Sequence, residues 1–387
     1  MILQTSCLML DKMRTTHIRP IFNIQHPLSS IQYLVRSKNA KFTTKGCCLV
    51  ISFLVFMALP LPLGAQTMVE YTHYPLSATQ VVPPNILILM DNSKDMHQQA
   101  YEGDFEPKII YDGYFDPSAR HSYINDSHFE RNSAGKWQGN FLNWLTMRRI
   151  DILRKVLIGG RAVANSRNGS GSQQLMGEED IKAGYEFIKK YKLGAGTHYP
   201  QASEFGLAAS SPVYFGLDKG FIYVGDDLDP FSHNTRKFAV RVQKESSVEP
   251  NAFIEGNIAG LVQQIGGKAR FGLGVFNEDG EGGKVINPVG DDLNDLIYNI
   301  ENSGAVDWSP LAESFFEGVR YFMQIAPYYP HMPEDYELEG DNDPYFLQEI
   351  SRYAPCAQSF VILISDGEST HDLNIPSILP GGVSGNL

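Results

Sequence analysis

Three oxygen-bearing side chains stand at alternate positions in one short stretch: Asp91, Ser93 and Asp95, in a D-x-S-x-D run. Alternate residues of a tight loop can turn their oxygens towards one centre. An all-oxygen set suits a hard cation, Mg²⁺ or Ca²⁺, rather than zinc. The same run can instead be a capping turn whose side chains satisfy the free N–H groups of a following helix. Two remote features favour the cation. Asp366-Gly-Glu368 again sets an acid directly after an apolar run, and Ser309-Pro-Leu-Ala-Glu313 opens a helix with a hydroxyl after a polar loop.

The elements that must position these residues are legible as hydrophobic patterns. Asn85–Met90 (NILILM), Arg270–Phe276 (RFGLGVF) and Ser359–Ser365 (SFVILIS) are short apolar runs bounded by turn residues, which predicts buried strands. Phe238–Val242 alternates and predicts a further strand. Apolar residues at three- and four-residue spacings predict helices over Asn143–Gly159, Asn251–Ile265, Leu293–Ile300 and Ser309–Ile325, with a small helical patch near Asp180–Tyr191. Pro310 falls in a first turn, where its missing N–H does no harm. Residues 97–140 and 161–235 read as insertions, the first a long loop without period. Alternation of strand and helix implies an α/β fold with a mostly parallel sheet covered on both faces. Ligands of such sheets sit at the carboxyl ends of the strands, where Asp91 and Asp366 both fall.

The chain has 387 residues and a net charge of −12, and its first 45 residues carry seven basic side chains against the single acid Asp11. The remainder is therefore strongly acidic, which argues against a nucleic-acid partner. The basic stretch runs into an uncharged apolar one, Gly46–Gly64, broken at its end by Pro60 and Pro62 and followed by Ala65-Gln66. That reads as a signal peptide ending near residue 65, the only membrane-directed segment, followed by a linker over 66–82 and one domain over 83–387. Export places the protein in the periplasm, at a pilus tip or on the cell surface. Of four cysteines only Cys356 lies beyond the leader, so the mature chain has no internal disulfide; a lone thiol there is buried or paired with a partner outside the chain. No GxSxG elbow, phosphate loop, HExxH or dinucleotide fingerprint follows a strand where its chemistry needs it, so the sequence does not read as an enzyme. A carboxylate pair of Asp91 and Asp366 would suit a metal-dependent hydrolase, the alternative from another class. A third reading is a non-adhesive fragment whose fold is only structural.

Taken together, the strand with its D-x-S-x-D loop, the Ser-Pro-Leu helix start and the strand ending in Asp-Gly resemble the metal-ion-dependent adhesion site of von Willebrand factor A domains. Four stretches look closer still to the type IV pilus tip-associated adhesins of the PilY family: NILILMD (85–91), GNFLNWLTMRRIDILRKVLIGG (139–160), SPLAESFFEGVRYF (309–322) and FVILISDGESTHDLNIP (360–376). The resemblance spans about residues 81 to 380. It implies a von Willebrand factor A-like fold with Ser93, Asp95 and Ser309 as direct ligands of Mg²⁺ or Ca²⁺, Asp91 and Asp366 acting through water, and a partner's carboxylate completing the octahedron. It also implies pilus subunits or minor pilins as partners, and a host or surface ligand. Asp95 stands where that pattern has serine, and Ser309 where it has threonine. The first change adds negative charge beside the cation, which favours Ca²⁺ over Mg²⁺ or a filled, structural site. The family's C-terminal propeller has no counterpart, and the A-like domain reads as incomplete at Leu387. Trp308 and the tyrosines Tyr101, Tyr111, Tyr114 and Tyr123 are candidates either for an adhesive surface or for packing. The scattered histidines have no ligand spacing.

Overall fold

A computed structural model describes residues 82–164, 166–179, 184–191, 200–329, 342–347, 351–354, 356–367, 369–376, 378–379 and 383–384. The expected signal peptide and nearly all of the linker lie outside these residues, as do Glu368 and the first four residues of the patch at 180–191. The described chain is mixed α/β with several sheets and few helices.

The sheet that carries the candidate site has four strands. β1 (Asn85–Met90) is central in it. The other strands take their numbers from chain order, after an insertion that holds β2 (Arg120–Ile124), β3 (His128–Arg131), β4 (Trp137–Gln138), β5 (Ser172–Met176), β6 (Phe187–Tyr191), β7 (Val213–Asp218), β8 (Phe221–Gly225), β9 (Arg236–Ala239) and β10 (Arg241–Glu245), and the short hairpin of β11 (Phe253–Ile254) and β12 (Asn257–Ile258). β13 (Arg270–Phe276) lies parallel to β1 on one side, and β14 (Gly283–Asn287) pairs antiparallel beyond it. After the small pair β15 (Phe346–Leu347) and β16 (Arg352–Tyr353), β17 (Ser359–Ile364) runs parallel to β1 on the other side. Met90, Val275 and Ile364 are in register, so three strands end at one edge.

β1 is apolar from Ile86 to Met90 because it is covered on both faces. Ile88 and Met90 pack with Leu273 and Val275 against helices α2 (Arg149–Ile158) and α4 (Leu293–Asn302). Leu87 and Leu89 face Tyr321 of α5 (Leu311–Phe322). Close approach on that face needs small residues: a Cβ on Gly274 would meet Leu89 Cδ2 at 2.5 Å. β17, read as a fully buried strand, is instead the outer strand among the described ones, with Phe360 47% and Ile362 42% exposed.

The insertions depart most from expectation. Residues 97–140 contain a β2–β3 hairpin, residues 187–191 form a strand rather than a helical patch, and 238–242 divides between β9 and β10 outside the main sheet. Five strands in the order β4-β2-β3-β10-β5 and four in the order β6-β7-β8-β9 enclose an aromatic core that includes Phe141, Trp144, Phe129, Trp137 and Phe215. Tyr111 and Tyr114 lie in that core, and Tyr101 and Tyr123 pack against it; the tyrosines serve packing. The expected helix over 251–265 shrinks to α3 (Leu261–Ile265) because Gly256 and Gly260 permit a tight hairpin and close contact before it. The helix over 143–159 is two: α1 (Gly139–Thr146) and α2, separated by extended Met147 and Arg148.

Candidate metal centre

The loop after β1 is built by its own polar groups. Ser93 N donates to Asp91 Oδ1 at 2.7 Å, and Lys94–His97 closes as a single 3₁₀ turn. Asn92 is the anchor. Its Nδ2 donates to Gly304 O at 3.0 Å and its Oδ1 accepts from Phe276 N at 3.0 Å, tying the loop to the end of β13 and to the segment before Ser309. That segment also runs parallel to the loop: Val306 N donates to Asn92 O, and Lys94 N to Val306 O.

The second side is the 365–372 loop after β17. Asp91 N donates to Ile364 O at 2.9 Å, and Ser365 Oγ donates to Asp91 Oδ2 at 2.7 Å. Thr370 clasps Ser309, accepting from its N–H at 3.0 Å and donating its own N–H to Ser309 O. Asp372 accepts from Ala312 N and Glu313 N, the free donors at the start of α5, where its charge also suits the helix dipole. Ser309 is thus fixed at the edge by Thr370 of one loop, and the segment before it by Asn92 and Lys94 of the other.

All five residues expected to form a site therefore lie at one sheet edge. Asp91 and Ser93 are joined directly, and Asp95 and Asp366 are joined through Arg149. The Arg149 Nη1 donates to Asp366 Oδ2 and, at 3.1 Å, to Asp95 O. Burial raises the Asp91 pKa, against hydrogen bonds from Ser93 and Ser365, and Asp366 adds to the rise. Burial also raises that of Asp366, opposed by Arg149 and reinforced by Asp95. The carboxylates feel one another. Among the described residues no three histidine, cysteine or acidic side chains converge as a metal cluster, so the candidate set depends on hydroxyls as well as acids. Ser93 Oγ fits that role: the residue is 1% exposed, and its hydroxyl, beside the Asp91 carboxylate, makes no well-formed hydrogen bond. A buried hydroxyl without a well-formed hydrogen bond costs about 1–3 kcal/mol, which a cation at this point would offset.

Arg149, Ser365, Thr370 and Asp372 escaped the reading of the sequence. Asp372 carried a signal, an acid whose chain neighbours already matched a motif, but its helix is sixty residues away. Trp308 is 41% exposed and stacks on His371 at 4.1 Å between ring centroids, beside Gly280. Cys356 is free and exposed, which removes burial as the account of its lone thiol.

Beneath the site lies a buried ionic cluster. Glu178 accepts from Arg154 and, at 2.6 Å, from Arg161; burial pushes its carboxyl up, but the two guanidiniums outweigh this and hold it at about 2. Asp151, fully buried, is pushed up to about 6 by burial, against Arg154. His97, also fully buried, is pushed down to about 4 by burial.

A mixed α/β protein with a polar centre at the carboxyl edge of a largely parallel sheet and an aromatic β-rich insertion is the class that these observations define. Residues 102–211, the first part of that insertion, match the family described as "PilY1 homolog, small alpha/beta domain", which supports a PilY1-like family and a type IV pilus-associated protein. No curated protein and no solved structure matches the chain.

Proposed function

We propose that this chain is an exported, pilus-associated binding protein, not an enzyme, whose main sheet is a von Willebrand factor A-like layer with a divalent cation at its carboxyl edge. The family match at 102–211 supports the pilus association, and with it pilus subunits or minor pilins as partners. Three parallel strands ending together beneath the D-x-S-x-D loop support the A-like reading. The buried Ser93 Oγ, without a well-formed hydrogen bond and flanked by carboxylates whose pKa values are raised, is the observation that carries the cation.

Asp91, Ser93, Asp95, Ser309 and Asp366 are the residues that would hold Ca²⁺ or Mg²⁺. When bound, the cation supplies an electropositive point to which a carboxylate of a host or surface ligand can be drawn. The chain's own residues hold that point open. Asn92 fixes the loop, Thr370 and Asp372 hold the Ser309 helix start, and Ser365 orients Asp91. Calorimetric titration of Ca²⁺ and Mg²⁺ into the protein tests this, with Asp91→Ala as the control. Saturable binding that the substitution abolishes is the expected result. A folded protein that takes up neither ion would end the cation reading.

A further inference from the structure

Arg149 is misplaced by the ordinary rules of helix design. It is the first residue of α2, directly after Arg148, and cations at a helix N-terminus oppose the helix dipole by about 0.3–1 kcal/mol each. Arg148 has a packing reason: its guanidinium donates to His97 O and Tyr185 O and lies over the Phe187 ring at 4.9 Å, inside the protein. Arg149 has none of that kind. Its side chain is 28% exposed and is directed to the candidate metal centre, onto Asp366 Oδ2 and Asp95 O. On its other flank Nη2 stands 3.7 Å from Glu102 Oε1.

One carboxylate that would serve a cation, Asp366, therefore already serves a guanidinium, which also holds the backbone carbonyl of Asp95. One positive charge cannot leave another unaffected at such range: two unit charges 4 Å apart interact by about 4 kcal/mol at an effective dielectric of 20. We infer that Arg149 is a tethered competitor for the cation site. It lowers the site's affinity for a divalent ion, and cation binding shifts it from Asp366 towards Glu102. This rests on the cation reading above and adds a direction of coupling to it. Glu102 is the first residue of the segment that matches the PilY1-homolog domain. Occupancy of the sheet edge is thereby reported to the insertion through one side chain.

The test is calorimetric titration of Ca²⁺ into the full chain, comparing wild type, Arg149→Gln, Glu102→Gln and Arg131→Gln. Arg131 pairs with Asp116 on the insertion, so its substitution makes the same change in net charge away from the site. Arg149→Gln is expected to tighten Ca²⁺ binding about tenfold, since only a fraction of the Coulomb repulsion survives rearrangement and screening. Glu102→Gln is expected to weaken it about threefold by removing the alternative partner, and Arg131→Gln to leave it within twofold. Binding by Arg149→Gln alone would be the strongest support. Unchanged or weaker binding by a folded Arg149→Gln, with wild type still binding, overturns the competitor and leaves the cation site standing. Absence of binding in every variant overturns both. Glu102 is 54% exposed, so its variant keeps the proposal testable even where Arg149→Gln fails to fold; equal affinity in Glu102→Gln and wild type then counts against it.

Discussion

Asp95 adds a further carboxylate to a loop that already holds Asp91, within the field of Asp366. Acid-rich oxygen sites of loose geometry suit Ca²⁺, whereas Mg²⁺ demands near-ideal octahedral geometry and keeps its waters. Asp95→Ser is accordingly expected to weaken Ca²⁺ binding at least tenfold and to narrow the preference for Ca²⁺ over Mg²⁺, which parallel titrations of the two ions measure. A preference that survives the change would remove Asp95 from the ligand set. Glu178 makes a different case at the same scale. Its two guanidinium partners are nearly buried, at 1% and 9% exposure. Glu178→Gln leaves both charges facing a neutral amide, and breaking a buried pair costs about 3–5 kcal/mol. Chemical denaturation should show a loss of that order; a change below about 1 kcal/mol would mean that the arginines find other partners.

Among the elements, the break between α1 and α2 does the most for the site. Extended Met147 and Arg148 let Ala100 N donate to Met147 O and Arg149 N to Gln98 O, so the chain after the D-x-S-x-D loop is laced to the break. α2 then starts afresh, with Asp151 Oδ2 accepting from Arg148 N at 3.0 Å. On the other side of the break, α1 holds the insertion through Asn143. Asn143 Oδ1 accepts from Phe115 N, and its Nδ2 donates to Tyr111 O and Phe115 O. Asn143→Ala deletes all three bonds in a residue with no exposed surface and is expected to cost about 3 kcal/mol, read as a fall in melting temperature. A melting point unchanged within error would contradict that role for the helix. The main strands, α4 and α5 were legible because both apolar faces of the sheet and one face of each helix are written in residue type. The insertion strands were not, because polar side chains hold inward positions. Lys189 of β6 is 4% exposed, its ammonium donating to Tyr101 O at 2.7 Å and lying over the Trp144 ring at 4.4 Å. His121 of β2 is 2% exposed. A lysine or histidine at such a position erases the alternation on which strand reading depends. Edge and centre are also indistinguishable in a run such as SFVILI. The spacing around Asp91, Ser309 and Asp366 was enough to bring those residues to one edge, whereas Arg149 has no motif and is found only through the break that aims it.

Over the whole molecule, these buried polar groups bind folding to pH. His97 and His121 are held neutral by burial, each pushed down to about 4 from an ordinary value of 6.5. Below pH 6.5 the unfolded chain takes up protons that the folded one refuses, so each histidine's contribution to stability is lost as pH falls from 6.5 towards 4. Asp151 works in the opposite sense. Its carboxyl is raised to about 6, the folded chain holds the extra proton, and stability is gained as pH falls from 6 towards 3.8. Glu178, held at about 2, is silent until the pH drops below its ordinary value of 4.5. At 1.36 kcal/mol per unit, the two histidines together lose about 4 kcal/mol by pH 5 while Asp151 returns about 1.4, a net loss of a few kcal/mol from neutral pH. Thermal unfolding from pH 7.5 to 4.5 should therefore show a melting temperature that falls steadily below pH 6.5. His121→Gln, which removes one of the two titrating rings, leaves about 2 kcal/mol of histidine loss against the roughly 1.4 that Asp151 returns, so the net fall by pH 5 should shrink to about a quarter. A flat profile in the wild type would mean that the histidines are protonated in the fold. An unchanged slope in the variant would place the proton uptake at His97, next to the candidate metal centre.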